Sequence, residues 1–286
     1  MSAATTPSTR VSPRSVSEPA ADAPERSRFQ PSGAWFAQWA GLVWTLVRTD
    51  FKVRYHGTIM GFLWALLKPV MMLLVLMGVF SFIFASNPNY RLNLIVGLFL
   101  WDFFAEGTKV GLTSLHAKAY LLSKTRFPRW IVVVTSVSNA AITLGITSAG
   151  MLAILVLVGR APSVLAVGLF LLYVSLFFLI VMGFSLGASV LFLRYRDLNQ
   201  VWEVLVNAGF FVAPVIYPLS ILPERFHFYL YLWPPTSVIQ FSRAVLIDGF
   251  VPSFRAHLLL LGVTALILGT GIAVYRRYAA TIAERL

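Results

Sequence analysis

Four charged side chains interrupt otherwise apolar stretches of this sequence: Lys68, Asp102, Glu106 and Lys109. A charge in the apolar interior of a bilayer is costly, so each of them needs a watery pathway, a partner or a place at the interface. Glu106 and Lys109 stand three apart on one helical face, a spacing at which they can neutralise each other, and Asp102 shares that face four residues earlier. Lys68 precedes Pro69, where a helix is expected to kink and let the lysine snorkel toward the cytoplasm. Asp102 and Glu106 therefore read in two ways, as groups facing a cavity or as members of structural pairs. A proton relay is disfavoured, because no ladder of ionisable residues continues through the other apolar stretches.

Other chemistry is thinly represented. The histidines His56, His116, His227 and His257 fall near the ends of apolar stretches with no metal-ligand spacing, and solvated or interfacial roles are expected of them. Cysteine is absent, which excludes disulfides, thiol catalysis and thiolate metal sites. No G-x-x-x-x-G-K-[ST] phosphate loop occurs, so ATP-driven work would have to come from another subunit. The remaining acids are scattered as Asp197, Glu203, Glu224 and Asp248, a poor basis for a membrane transferase, which needs acidic or histidine groups converging at one face.

These residues sit in a chain that is 58% hydrophobic and only 12% charged over 286 residues, a balance that fits an integral membrane protein. The net charge of +12 is read as topology and contact with anionic lipid rather than as a nucleic-acid footprint. Residues 1–33, rich in Ser, Pro, Ala and Thr, carry no apolar run that would order them and no signal-peptide pattern, so a disordered cytoplasmic tail is expected. About 20 apolar residues span the hydrocarbon core as helix, and six stretches qualify: about 58–85, 92–115, 130–158, 164–193, 199–219 and 255–275. With the N-terminus inside, Arg48, Lys52, Arg54, Lys118, Lys124, Arg126, Arg129, Arg194, Arg196, Arg276, Arg277 and Arg285 fall on the cytoplasmic side. Only Arg91, Arg160, Arg225, Arg243 and Arg255 fall outside, which follows the positive-inside rule and puts both termini in the cytoplasm.

Two regions depart from simple spans. Residues 34–57 place Trp35, Trp39, Leu42, Val43, Leu46 and Val47 on one face, followed by a crowd of charges, which predicts an amphipathic helix lying in the interface. Asp50 and Arg54 stand four apart in it and can pair. On the outer side, residues 214–251 are too apolar for an ordinary loop, yet Pro218, Pro223, Pro234 and Pro235 cut them into pieces too short to span. Two short re-entrant or interfacial helices are expected, Pro223 to Trp233 and Pro235 to Leu246, lining or closing a passage. Phe226, Phe228, Tyr229, Tyr231 and Trp233 are equally the residue types of an aromatic belt at the membrane surface. The fold class is thus all-α integral membrane: six spans, an amphipathic interfacial helix, and short helices between spans five and six.

Small residues recur where helices can touch. Gly183 and Gly187 form a GxxxG, and Ala141, Gly145 and Ala149 recur every fourth residue, which suits close packing within the chain or across a dimer. Between the second and third stretches lies the basic segment HAKAYLLSKTRFPRW, residues 116–130. A positive-inside anchor accounts for its charges but not for Phe127 and Pro128.

Three separated motifs resemble one family. The stretch DFKVRYHGTIMGFLWALLKPVMMLLV, residues 50–75, is similar to the D-x-K-x-R-Y-x-x-[ST]-x-x-G-x-x-W-x-x-x-x-P opening of ABC-2 type permeases that export polysaccharides. AYLLSKTRFPRWIVVV, residues 119–134, is similar to their L-x-x-K-x-x-F-P-R segment, and residues 192–224 carry their Y-R-D and A-P-V-I-Y-P signatures. The resemblance covers about residues 35–280 in matching order and is closest in character to the Wzm-like or TagG-like permeases for O-antigen, capsule and teichoic acid.

That resemblance implies a 58–286 permease domain working as a homodimer in the bacterial cytoplasmic membrane, with two copies of a separate ATPase that binds ATP and magnesium. This chain would bind no cofactor, and the cargo would be a lipid-linked glycan. The loop after the second span is the family's coupling helix, which here means about Ala119 to Arg129. Lys124, Arg126, Phe127, Pro128 and Arg129 are its motif positions, and Asp50 and Arg54 belong to the interfacial helix expected to move with it. The family also implies an aromatic-lined channel for sugar rings, for which the candidates by residue type are Phe103, Phe104, Tyr217, Phe226, Tyr229, Tyr231 and Trp233, with Asp102 and Glu106 beside them. An ABC-2 exporter of a drug or simple lipid is the alternative within transport, and a transferase acting on polyprenyl-linked sugars the alternative outside it.

Overall fold

The computed structural model describes residues 33–55, 61, 63–124 and 128–278, with side chains from Ala40 onward except those of Arg54, Tyr55 and Ala65. The expected disordered tail, His56, Arg126 and Phe127 therefore lie outside the described residues, as do the side chains of Trp35, Trp39 and Arg54. Contacts divide the chain into two units at Trp39 and Ala40. The first is seen only as the opening turns of a helix; the second, from Ala40 onward, holds the rest of the described structure.

Ten α-helices make up the described structure: α1 (Gly33–Tyr55), α2 (Leu63–Ile83), α3 (Tyr90–Ala117), α4 (Ala119–Lys124), α5 (Trp130–Leu157), α6 (Val164–Arg194), α7 (Leu198–Val212), α8 (Glu224–Leu232), α9 (Pro234–Leu246) and α10 (Phe254–Tyr278). Long apolar runs take this form because a helix satisfies its own backbone where no water is available. Helices α2, α5, α6 and α10 are long and apolar enough to cross a membrane. Two of the six expected spans stand apart from these four. Helix α3 is 28 residues long but carries the acidic pair and Lys109. Helix α7 ends at Val212 after 15 residues, about 22 Å at helical rise and short of the ~30 Å hydrocarbon core. The expected fifth span at 199–219 thus leaves helix at Ala213, and Ala213, Val215 and Ile216 continue it as buried irregular chain.

Helix α3 is the central element, packed against α2, α5, α6, α7 and α9. Leu94, Leu100, Leu112 and Leu115 are wholly enclosed along it. Helix α2 continues as helix through Pro69. The α5–α6 connection is short because each end is capped. Gly159 adopts φ +76, open to a residue without Cβ, and the Arg160 N–H donates back to the Leu155 carbonyl at 2.9 Å. Ser163 then accepts from the Ala166 N–H at 3.1 Å and starts α6. The GxxxG packs within the chain: Gly183 faces the α10 backbone at Leu268, and Gly187 faces Gly271. Gly145, by contrast, has open space around it, where an added Cβ would meet nothing within 4 Å among the described residues. The pieces cut by proline are helices as expected, α8 and α9, with Pro234 and Pro235 opening α9 where a missing N–H costs nothing.

Candidate functional site

The charges within the apolar stretches do not pair as their spacing suggests. Lys109 reaches across to α7 and meets Glu203 at 3.0 Å, so its partner is not Glu106. The reason is direction: Glu203 stands on the neighbouring helix facing Lys109, and a cross-helix pair joins two elements where an intrahelical pair joins none. Asp102, Glu106 and Lys68 instead line one cavity of about 120 Å³ between α2, α3 and α5, together with Phe99, Phe103, Thr143 and Thr147. Lys68 therefore turns toward Asp102, near enough to act on its charge. Such a cavity has room for a few waters, each sharing about 30 Å³.

At one end of the bundle, Arg243 of α9 does what no spacing rule foretold. Counted by sequence as an outer-loop charge, it is 5% exposed. Its Nε donates to the Asn93 carbonyl at 2.9 Å, Nη1 to the Pro214 carbonyl at 2.6 Å and Nη2 to the Val215 carbonyl at 2.8 Å. Tyr90 donates to the next carbonyl, Ile216, at 2.8 Å. The A-P-V-I-Y-P motif leaves helix inside the protein, and its free carbonyls need donors there. Arg243 and Tyr90 supply them. Gly97 is required beside this fork, since a Cβ would run into the Arg243 guanidinium. A polar cavity of about 200 Å³ opens next to it, lined by Tyr90, Asn93, Tyr217, Gln240 and Asp248. Burial pushes the Asp248 carboxyl up, against the opposing pull of Arg243, Asn89 and Arg160.

The aromatic candidates separate into different places. Phe103 lines the charged cavity and sets its ring edge-on to Phe177. Phe104 is enclosed by Trp101, Phe177, Trp202 and Trp233. Tyr217 turns its hydroxyl back to the Phe211 and Val212 carbonyls, at 3.1 and 3.0 Å, and caps the end of α7. Tyr231 packs against Phe241, while Phe226 and Tyr229 are exposed. Trp202, passed over in the sequence, ties α7 to α3 by donating to the Thr108 hydroxyl at 3.0 Å.

At the opposite end of α3, the basic segment forms α4, a six-residue helix anchored by buried Leu122. Lys124 lies over the Tyr120 ring at 4.3 Å, and Tyr120 itself is 72% exposed. Pro128 and Arg129 are half-buried, with Tyr275 of α10 beside Arg129 and Trp130. Asp50 pairs with Lys118 at the junction of α3 and α4; the expected pairing with Arg54 involves a side chain outside the described ones. Helix α1 and the basic segment are thereby linked. Of the histidines, His257 shares a hydrogen bond with Tyr173 at 2.7 Å and His227 one with the Leu222 carbonyl at 3.0 Å. His116 packs edge-on against Phe192.

The family model described as ABC-2 type transporter matches residues 41–247. The O-antigen export system permease protein RfbA of Myxococcus xanthus is 28% identical over 258 residues, covering 87% of this chain and 96% of that protein. The protein of the same name from Klebsiella pneumoniae is 27% identical, covering 86% and 95%. The polysialic acid transport protein KpsM of Escherichia coli is 24% identical, covering 79% and 89%.

Proposed function

The chain belongs to the ABC-2 type transporter family, and from that premise we propose that it is the permease subunit of an ATP-driven exporter of cell-envelope polysaccharide. The observation that carries this reading is likeness to O-antigen export permeases along nearly the full length of both chains. The cargo is a lipid-linked glycan, and a homodimer of this chain works with two copies of a separate ATPase subunit in the cytoplasmic membrane. Helices α3 and α7 complete six spans, α3 because its charges have partners or a cavity, and α7 because the chain beyond Val212 continues in the interior. Both termini are cytoplasmic by the balance of Lys and Arg.

Energy enters through α4. Its exposed Tyr120 and Lys124 offer a contact for the ATPase, and Pro128 stiffens the link to α5. The Asp50–Lys118 pair passes the same movement to α1. Helix α9, tied to α3 and to the end of α7 by Arg243, and α8 packed against it close the outer end of the glycan path. Depletion of the chain in its host tests the reading: a polymer that normally reaches the surface should accumulate inside. Purified chain that chemically modified a lipid-linked sugar without any ATPase would overturn it.

A further inference from the structure

A groove of about 500 Å³ runs between α8, α9 and the first turns of α10, apart from both the charged cavity and the Arg243 fork. Tyr231, Leu232, Phe241 and Phe250 form one wall. The other wall is a stripe of α10, Ala256, Leu259, Leu260 and Val263, whose spacing puts them on one helix face. Its two serines are engaged: Ser237 donates to the Tyr231 carbonyl at 2.7 Å, and the Ser253 hydroxyl accepts from the Ala256 N–H at 3.4 Å.

Among the described residues, Arg255 is the one charged residue lining the groove. It stands at the first turn of a membrane-crossing helix, one turn above Leu259. The order along α10 is therefore a cation at the level of the membrane surface, then an apolar trough running inward for about 12 Å at helical rise. A sugar or a polar peptide would find almost no directional partner there. A lipid finds both of its parts matched, since a guanidinium suits a phosphate and the trough suits a hydrocarbon tail. Leu259 within the stripe is itself exposed, so the groove wall on α10 is open on this side.

We propose that the groove between α8, α9 and α10 binds one membrane phospholipid, its phosphate on Arg255 and one acyl chain along Ala256, Leu259 and Val263. This inference does not depend on what the transporter carries. The bound lipid fills the gap between the short outer helices and the last crossing helix, and so gives α8 an apolar surface to pack against.

The test is native mass spectrometry of the full-length protein, released from detergent after incubation with phosphatidylglycerol. One lipid per chain should be retained by wild type. Arg255→Gln should weaken retention roughly fivefold, the scale of one basic residue against an anionic lipid, and Ala256→Phe should weaken it by filling the trough. Arg225→Gln, which removes an outer cation stacked on Phe226 outside the groove, should leave it unchanged. Wild-type retention in both groove variants would overturn the proposal. So would displacement of the phospholipid by an equimolar polyprenyl phosphate, which would make the carrier lipid the occupant, or a crosslink through Leu259→Cys showing that a second copy covers the groove.

Discussion

Gly271 lies so close to Gly183 that a Cβ on Gly271 would overlap the Gly183 carbonyl oxygen. This contact sets how near α10 can come to α6, the most extensively packed pair of helices in the described structure. Without water to drive helices together in a bilayer, such close backbone approach is a main source of attraction. Gly271→Leu should therefore force the helices apart and cost about 2 kcal/mol, an overpacking penalty. Gly262→Leu, with open space around it, should be neutral. Thermal unfolding of the detergent-purified variants distinguishes the two.

Arg243 gives a larger effect. Arg243→Met leaves the Asn93, Pro214 and Val215 carbonyls without their donor. Losing a buried cation that satisfies several acceptors costs about 3 kcal/mol, enough to lower the melting temperature by roughly 6–12 °C in a chain of this size. Arg243→Lys should recover only part of that, because an ammonium cannot reproduce the planar fork. A lysine variant as stable as wild type would show that charge alone suffices.

The contrast between Arg243 and the helices around it marks how far sequence reading reaches. Apolar runs and proline breaks announced α2, α5, α6, α8, α9 and α10 because those signals are local. Arg243 read as an outer-loop charge, since its acceptors lie 28, 29 and 150 residues away. Lys109 misled for the same reason: Glu106 is three residues off, but the actual partner is Glu203, 94 residues away. The GxxxG was legible as a packing motif, but not its partner, Gly271. Aromatic candidates chosen by type scattered into core, cavity and surface because an aromatic ring suits all three.

Coupling through Asp50 and Lys118 is testable by charge reversal. Both side chains are about a quarter exposed, so the pair should contribute to position more than to stability. Asp50→Lys should lower export while ATPase activity continues, and adding Lys118→Asp should restore much of it. Surface polysaccharide and ATP hydrolysis, measured together, report the coupling. Equal export in the single variant and wild type would remove Asp50 from the pathway.

Tyr120 and Lys124 extend that argument to the surface of α4. Tyr120→Ala removes an exposed ring that holds Lys124 in place, and no buried contact is lost with it. The expected result is unchanged melting temperature with export reduced severalfold. Co-purification of the ATPase subunit should weaken in parallel if α4 is its contact.

The charged cavity offers the last prediction, and its logic is one of balance. Lys68→Met leaves Asp102 and Glu106 facing each other's charge across a cavity of about 120 Å³, and Asp102 loses the cation that acts on it. A like-charged pair in a poorly solvated site is unfavourable, so the single variant should fold poorly or lose export. Asp102→Asn on its own leaves Lys68 facing Glu106 as the remaining carboxylate and should be milder. Combined, Lys68→Met and Asp102→Asn remove one charge of each sign and keep the net charge of the cavity. The double variant should therefore exceed Lys68→Met in both melting temperature and export. If the two effects simply add, Lys68 and Asp102 are independent, and the cavity holds its charges by water rather than by one another.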